Sequence, residues 1–367
     1  MVALVVLSFI VAAVAVFVLV QRARRHAQRY GQDMPQRFHM GDTPRVGGAG
    51  ILLGMGVGWL AADWWPAAFN VGQSPTLGKP VVMLLCLLPA IVGSLAEDLT
   101  QRVRIGYRLL LTMSSAGLLC MVLQLGVYRL GLGPVDGWFA AVPWLGIVLA
   151  VFAIGGLPHA FNIIDGYNGL AGAVAVLTCL TISHVALQLG DRDLAGVLVC
   201  LAGATAGFLV WNYPKGKIFA GDCGAYVWGM VIGLACVAIV QRHPSVSPWF
   251  PVMVLIYPLS ETFFSIYRKL VRGQSPSAAD ALHFHQLVFR RIVRPVLFGG
   301  DQALEMLARN NKTAPYLWMF SAISLVPAVL FWRNTGALMV FCVLFATAYV
   351  AAYLAIVRFK VPGWLRV

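Results

Sequence analysis

The sequence predicts an all-α polytopic membrane protein of about eleven transmembrane helices. Three observations predict it. Hydrophobic residues make up 60% of the 367, only 11% are charged and mean hydropathy is +0.80, a composition far from that of a soluble globular domain. Apolar runs long enough to cross a bilayer recur along the chain with no long polar stretch between them. Basic residues collect in alternate loops, as expected of a multi-spanning topology.

The predicted spans are 2–20, 46–65, 79–95, 106–126, 143–158, 169–188, 194–211, 223–240, 248–267, 315–332 and 336–356. The first lacks a basic segment ahead of it and is followed by Arg22, Arg24 and Arg25. It therefore reads as a retained span rather than a cleaved signal. If loop 21–45 and every second loop after it share one face with the C-terminal tail, only Lys79, Arg129, Arg192, Arg242 and Arg333 of the 27 Lys and Arg lie opposite. The positive-inside rule makes the rich face cytoplasmic, with the N-terminus periplasmic and the C-terminus cytoplasmic. One integral membrane domain, 1–367, is expected, with 268–314 as its long cytoplasmic loop. Net charge is +13, but its placement argues for sidedness rather than for a nucleic-acid partner. The seven cysteines are scattered through apolar runs with no C-x-x-C pair and read as small core residues, neither zinc ligands nor a disulfide frame.

Four acidic or histidine-bearing segments fall at span ends on the cytoplasmic side: Glu97-Asp98, Asn162-x-x-Asp165-Gly166, Gly221-Asp222 and Asp280-x-x-His283-x-His285. Carboxylates beside hydrocarbon are costly, so four such places need a polar focus, most simply a metal and a phosphorylated substrate. A transporter would instead place its ionisable groups near the midplane, and Asp63 and Glu261 are the only other acids inside the predicted spans.

Each segment has a plainer reading beside the chemical one. Glu97-Asp98, followed by Arg102, Arg104 and Arg108, suits metal or phosphate work, and mutual repulsion can raise one of its pKa values; it also fits a solvated loop of balanced charge. Asn162, Asp165 and Asn168 recur every third residue among Gly166, Gly169 and Gly172, letting backbone approach a flat or charged ligand; a polar turn would need the glycines but not this ordered set. Asp222 is a helix N-cap or a ligand for a hard cation, since Mg2+ takes one or two carboxylates plus phosphate oxygens. His283 and His285, with Arg290 and Arg291 beyond, can hold a pyrophosphate. Zinc is disfavoured there because no cysteine or suitably spaced histidine is near. Finally, His39-Met40-Gly41-Asp42-Thr43-Pro44-Arg45-Val46-Gly47-Gly48 makes a defined turn that presents Thr43 and Arg45 to the cytoplasmic face.

The order of these five segments over residues 39–287 resembles the polyprenyl-phosphate N-acetylhexosamine-1-phosphate transferases. The resemblance implies transfer of a sugar-1-phosphate from a UDP-N-acetylhexosamine, or a related UDP-amino sugar, to undecaprenyl phosphate in the bacterial inner membrane. UMP is released, and Mg2+ is the cofactor, with Mn2+ as an alternative ion. It implies Asp222 as principal metal ligand with Asn162 beside it, Gly166 and Phe219 about the uracil, and Asn168 bonded to the base. Glu97 and Asp98 correspond to paired acids that act on the lipid phosphate, with Asp98 the choice for organising or deprotonating it. Asp165 completes the catalytic set, while His283, His285 and Arg108 handle phosphate or sugar.

The chain departs from the family pattern in several places. Glu97-Asp98 stands for a common Asp-Asp pair, and Arg108 for a lysine one position earlier. Asn168 stands for an aspartate, Gln286 for the last histidine of H-x-H-H, and His159 for an asparagine. Absence of three adjacent histidines argues against the peptidoglycan enzyme and for an initiating, O-antigen-like surface polysaccharide role. Competing classes are a nucleotide-sugar or lipid transporter and a noncatalytic relative. Oligomeric state is not legible in the sequence.

Overall fold

The computed structural model describes residues 1–23, 43–69, 71, 80–275, 282–293 and 301–358. His39 to Asp42, Asp280 and the basic residues Arg24, Arg25, Arg29, Arg37, Lys79, Arg294, Lys360 and Arg366 lie outside them. Every element of the described residues is helical: α1 (Val2–Arg22), α2 (Gly47–Trp64), α3 (Pro66–Phe69), α4 (Pro80–Thr100), α5 (Ile105–Leu123), α6 (Gly133–Ala141), α7 (Pro143–Ile164), α8 (Leu170–Gln188), α9 (Arg192–Asn212), α10 (Gly221–Arg242), α11 (Trp249–Val254), α12 (Ile256–Val271), α13 (Phe284–Arg291), α14 (Gln302–Phe331) and α15 (Thr335–Val357).

Among the described residues nine helices are long and apolar enough to cross a membrane: α1, α4, α5, α7, α8, α9, α10, α14 and α15. The other two expected spans also form helices, of different character. α2 carries six glycines and Asp63 in its 18 residues, which dilute its hydropathy while letting neighbours approach. Segment 248–267 is broken into α11 and α12 at Leu255. Pro258 cannot donate to the carbonyl of residue 254 and clashes with it, so the first helix stops there. α12 then runs on as an amphipathic helix, burying Glu261, Ser265 and Arg268 while exposing Phe263, Tyr267, Leu270 and Val271.

α10 is the axis of the molecule. Every residue from Cys223 to Val240 is buried, and α2, α4, α7, α8 and α9 all pack on it. Close approach on two sides depends on missing side chains: a Cβ on Gly229 would overlap the backbone of Leu157 and Pro158 in α7, and one on Gly48 would overlap that of Cys223 and Gly224. Between apolar helices in lipid, such small-residue contacts supply dispersion that hydrophobicity cannot.

Two boundaries differ from the sequence expectation in ways that matter. α4 runs on through Thr100, so Glu97 and Asp98 sit in its last turn rather than in a loop after it. The expected loop 268–314 is largely helical where described: α12 extends to Val271, α13 is a separate helix, and α14 begins at Gln302, where the Asp301 side chain accepts from Ala303 and Leu304 N–H. The start of the predicted span 315–332 therefore falls inside α14.

Candidate active site

The N-terminus of α10 meets the C-terminal turns of α4 and α7 at one end of the bundle. Asp98 places both carboxylate oxygens on the start of α10: Oδ1 accepts from Asp222 N–H at 2.7 Å and Oδ2 from Cys223 N–H at 2.9 Å. Those orphan donors and the helix dipole favour a negative partner there. Gly221 makes the turn at φ +71°, where a Cβ would strike Asp98 and the Arg45 carbonyl. Asp98 is thus a brace for the Asp222 segment, 4% exposed.

Asp222 projects from this braced turn. Its Oδ1 accepts from the Asn162 amide at 2.7 Å and its Oδ2 from Arg108 Nη1 at 2.5 Å. Arg108 also lies 3.9 Å from Glu97, whose other oxygen accepts from Val103 N–H at 2.8 Å. Four helices therefore converge on one charge chain, Glu97, Arg108, Asp222 and Asn162.

The Pro44-Arg45-Val46-Gly47-Gly48 turn is held against Phe219 and Ala220 by three backbone bonds: Phe219 N–H to Pro44 O, Gly47 N–H to Phe219 O and Gly48 N–H to Ala220 O. This seats Arg45 and Phe219 side by side on the rim. Thr43 is half-buried just before the turn and does not line the cavity.

A cavity of about 190 Å³ opens over these groups, lined by Arg45, Asp98, Asn162, Ile163, Asp165, Gly166, Phe219, Gly221, Asp222, His283, His285 and Gln286. Asp165, at the C-cap of α7, lies deep in it, though part of its surface meets the open cleft. Burial pushes its carboxyl up to about 7, with Arg45 pulling the other way and Asp222 adding to the rise. His283 and His285 come from the start of α13, rings stacked at 5.3 Å and 8°. Behind them Tyr167 meets His285 edge-on at 5.6 Å.

Two of the expected site residues, Asn168 and Arg108, are not in the cavity lining. Asn168 does not face the cavity: it is 1% exposed, its amide donates to Asn311 Oδ1 at 2.9 Å and its backbone N–H to Asn310 Oδ1 at 2.8 Å. With Asn212 and Trp318 bonded to Gly169, it braces the turn from behind. Arg108 lies beside Asp222 but off the cavity lining. His159 bonds Thr112 at 3.2 Å and packs on Tyr226 within the bundle. Gln286, in place of a histidine, caps the start of α13 by accepting from His283 N–H at 3.1 Å.

Sequence reasoning passed over Glu261 and the asparagines of α14. A carboxylate inside an apolar helix was the available signal for Glu261. Asn310 and Asn311 gave none, because only folding brings them across 142 positions to Asn168.

The donors fit a hard cation. Among the described residues no three His, Cys, Asp or Glu are grouped to hold a metal by themselves. Asp222 with the Asn162 amide offers oxygen ligation of the sparse kind that Mg2+ completes with substrate oxygens.

Residues 80–240, from α4 through α10, match the family model for glycosyl transferase family 4. The chain is similar to that family over this stretch. This chain carries Glu97, Asp98, Arg108, Asn162, Asp165 and Asp222 within the matched stretch. It is 27% identical over 285 residues, 77% of this chain and 76% of the relative, to a probable undecaprenyl-phosphate N-acetylglucosaminyl 1-phosphate transferase of Bacillus subtilis. It is 25% identical over 279 residues, 73% and 72% of the two chains, to the undecaprenyl-phosphate alpha-N-acetylglucosaminyl 1-phosphate transferase of Escherichia coli K12. A phospho-N-acetylmuramoyl-pentapeptide-transferase of Moorella thermoacetica is 29% identical over 244 residues, 66% and 75%.

Proposed function

We propose that this protein transfers an N-acetylhexosamine 1-phosphate from a UDP-sugar to undecaprenyl phosphate at the cytoplasmic face of a bacterial inner membrane, releasing UMP. The observation that carries the reading is the single cavity in which Asp222, Asn162, Asp165, Arg45, His283 and His285 converge at helix ends. The relatives' names support the polyprenyl-phosphate acceptor and the sugar-phosphate donor class.

In this reading an oxygen of the lipid phosphate attacks the sugar-bearing phosphorus, a new P–O bond forms and the bond to UMP breaks. The two reactants are anionic, so positioning and charge neutralisation provide most of the catalysis. Mg2+ or Mn2+, when bound, supplies neutralisation of the pyrophosphate, and Asp222 and Asn162 are the residues that would hold it. Arg45, on the cavity rim, and the histidine pair bind phosphate oxygens; Phe219 and Gly166 form the walls for the uracil. Arg108, beside Asp222 and near Glu97, offers its guanidinium to the incoming lipid phosphate. Asp98 holds the Asp222 turn in place. A phosphate whose second pKa is near 6 is already mostly ionised at neutral pH, so its engaged oxygens suit positioning better than proton removal.

The opening step of a lipid-linked surface polysaccharide is the role we favour. The test is UMP release by purified protein in detergent with Mg2+, undecaprenyl phosphate and a panel of UDP-amino sugars that includes UDP-MurNAc-pentapeptide. Lipid-dependent UMP from one donor names the substrate; no UMP in detergent together with donor flux in proteoliposomes would make the protein a transporter.

A further inference from the structure

Glu261 is 1% exposed in the interior of α12, and no role assigned above uses it. Its two oxygens divide their contacts evenly. Oε1 lies 3.3 Å from His285 Nδ1 and accepts from His285 N–H at 3.3 Å. Oε2 lies 3.6 Å from His283 Nδ1 and accepts from Phe284 N–H at 3.2 Å. The cavity is lined by both histidines but not by Glu261. On the far side of the imidazole, His285 Nε2 is the atom nearest the open face of Gly166.

We infer that Glu261 is the positioning residue of the histidine pair, holding the proton on Nδ1 of His283 and His285 and turning Nε2 of each toward the substrate. The inference rests on the transferase reading and names how that site is set. An imidazole that donates from Nδ1 to a carboxylate keeps Nε2 as its working atom, and the carboxylate favours the imidazolium form, whose Nε2–H is a donor to phosphate. Two parallel rings on one carboxylate present two such donors side by side. The surroundings keep the carboxylate in place: the phenols of Tyr257 from α12 and Tyr349 from α15 lie against it, and Tyr167 backs His285 from the α7–α8 turn. Arg268 fixes the approach to α13 by donating to Leu282 O at 2.6 Å and to Tyr353 Oη at 2.7 Å.

A carboxylate that merely capped α13 would meet the two backbone N–H groups as well. Glutamine at 261 can still accept those bonds, so Glu261→Gln separates the two roles. In histidine-labelled protein in detergent, the imidazole carbon shifts of His283 and His285, assigned by single His→Gln variants, report ring protonation without any assay of turnover. We expect Glu261→Gln to shift both resonances at neutral pH toward those of the neutral ring. In the UMP assay kcat should fall on the order of 10–100-fold, with less than about threefold change in KM for the donor. In a His283→Ala/His285→Ala background the same substitution should cost nothing more. Unchanged imidazole shifts, or a loss of equal size with and without the histidines, would overturn the inference. If Glu261→Gln does not accumulate as folded protein, Glu261→Asp carries the same measurements, with intermediate shifts expected. Wild-type protein that releases no UMP from any donor would sink the transferase reading, while the imidazole shifts still judge Glu261.

Discussion

At the scale of the residue, the site is a set of carboxylates given different work by their surroundings. Asp222 keeps its carboxylate at the cavity, bonded to one amide and one guanidinium. Asp222→Ala is expected to lower turnover by a factor on the order of 10²–10³ or more, with half-saturation moved to higher Mg2+, read as UMP release across a metal titration. Asp98→Asn should act mainly through the turn it braces: half of its acceptor capacity is lost, so thermal stability falls together with rate. Asp165 is a pH reporter. Its folded carboxyl titrates near 7 against about 3.9 unfolded. The folded state therefore holds this proton more tightly, and stability is greatest below about pH 4 and declines as pH rises toward 7. In EDTA, the melting temperature of Asp165→Asn should lack that decline and exceed wild type at pH 8; equal slopes would show that Asp165 does not titrate so high. Asn168 teaches the reverse lesson, since its motif position pointed to the base while its contacts make it a brace.

At the scale of the element, short features at helix ends decide where these residues point. At the start of α13 the Gln286 side chain accepts from His283 N–H. Gln286→Ala should cost about 1 kcal/mol of local stability and loosen the histidine pair, seen as faster amide exchange over 283–288 with little change in global melting. Gly221 at φ +71° is the other such feature. Alanine there would collide with Asp98, and rate should fall more than for Asp98→Asn. On the opposite end of the bundle, Asp191 caps α9 and pairs with Arg242 at 3.1 Å and His243 at 3.0 Å. The His243 and Leu194 contacts and the Arg242 charge hold its carboxyl below the ordinary range. Stability from this group is present above its unfolded value of about 3.9 and is lost as pH falls through the lower folded one. Asp191→Asn should accordingly lower the melting temperature at pH 7 and lose that difference only in strong acid.

At the scale of the whole molecule, a buried α10 surrounded by helices with small residues at their contacts holds the site rigidly. Gly229→Leu would drive a branched side chain into Pro158 of α7, the helix that carries Asn162 and Asp165. Loss of folded protein in detergent, or of activity without loss of α2 and α9 packing, is expected, measured by size-exclusion yield and UMP release. If sidedness is as proposed, cysteines introduced at Lys215 or Arg102 will label only from the cytoplasm, and one at Arg333 only from outside.

Hydropathy and periodicity in the sequence determined that the chain is helical, apolar and many-spanning, because a span must satisfy its own backbone and repel water along its length, and both demands are written locally. Motif spacing also put Asp222, Asn162, Asp165 and the histidines on a short list, since carboxylates beside hydrocarbon stand out in any register. Tertiary structure alone decided which of them share a cavity. Asp98 became a brace and Asn168 a strut because of partners 124 and 142 positions away, and Glu261 met its histidines because Pro258 broke one span and redirected the next. Those outcomes depend on helix ends from distant parts of the chain arriving at the same point, which no local pattern records.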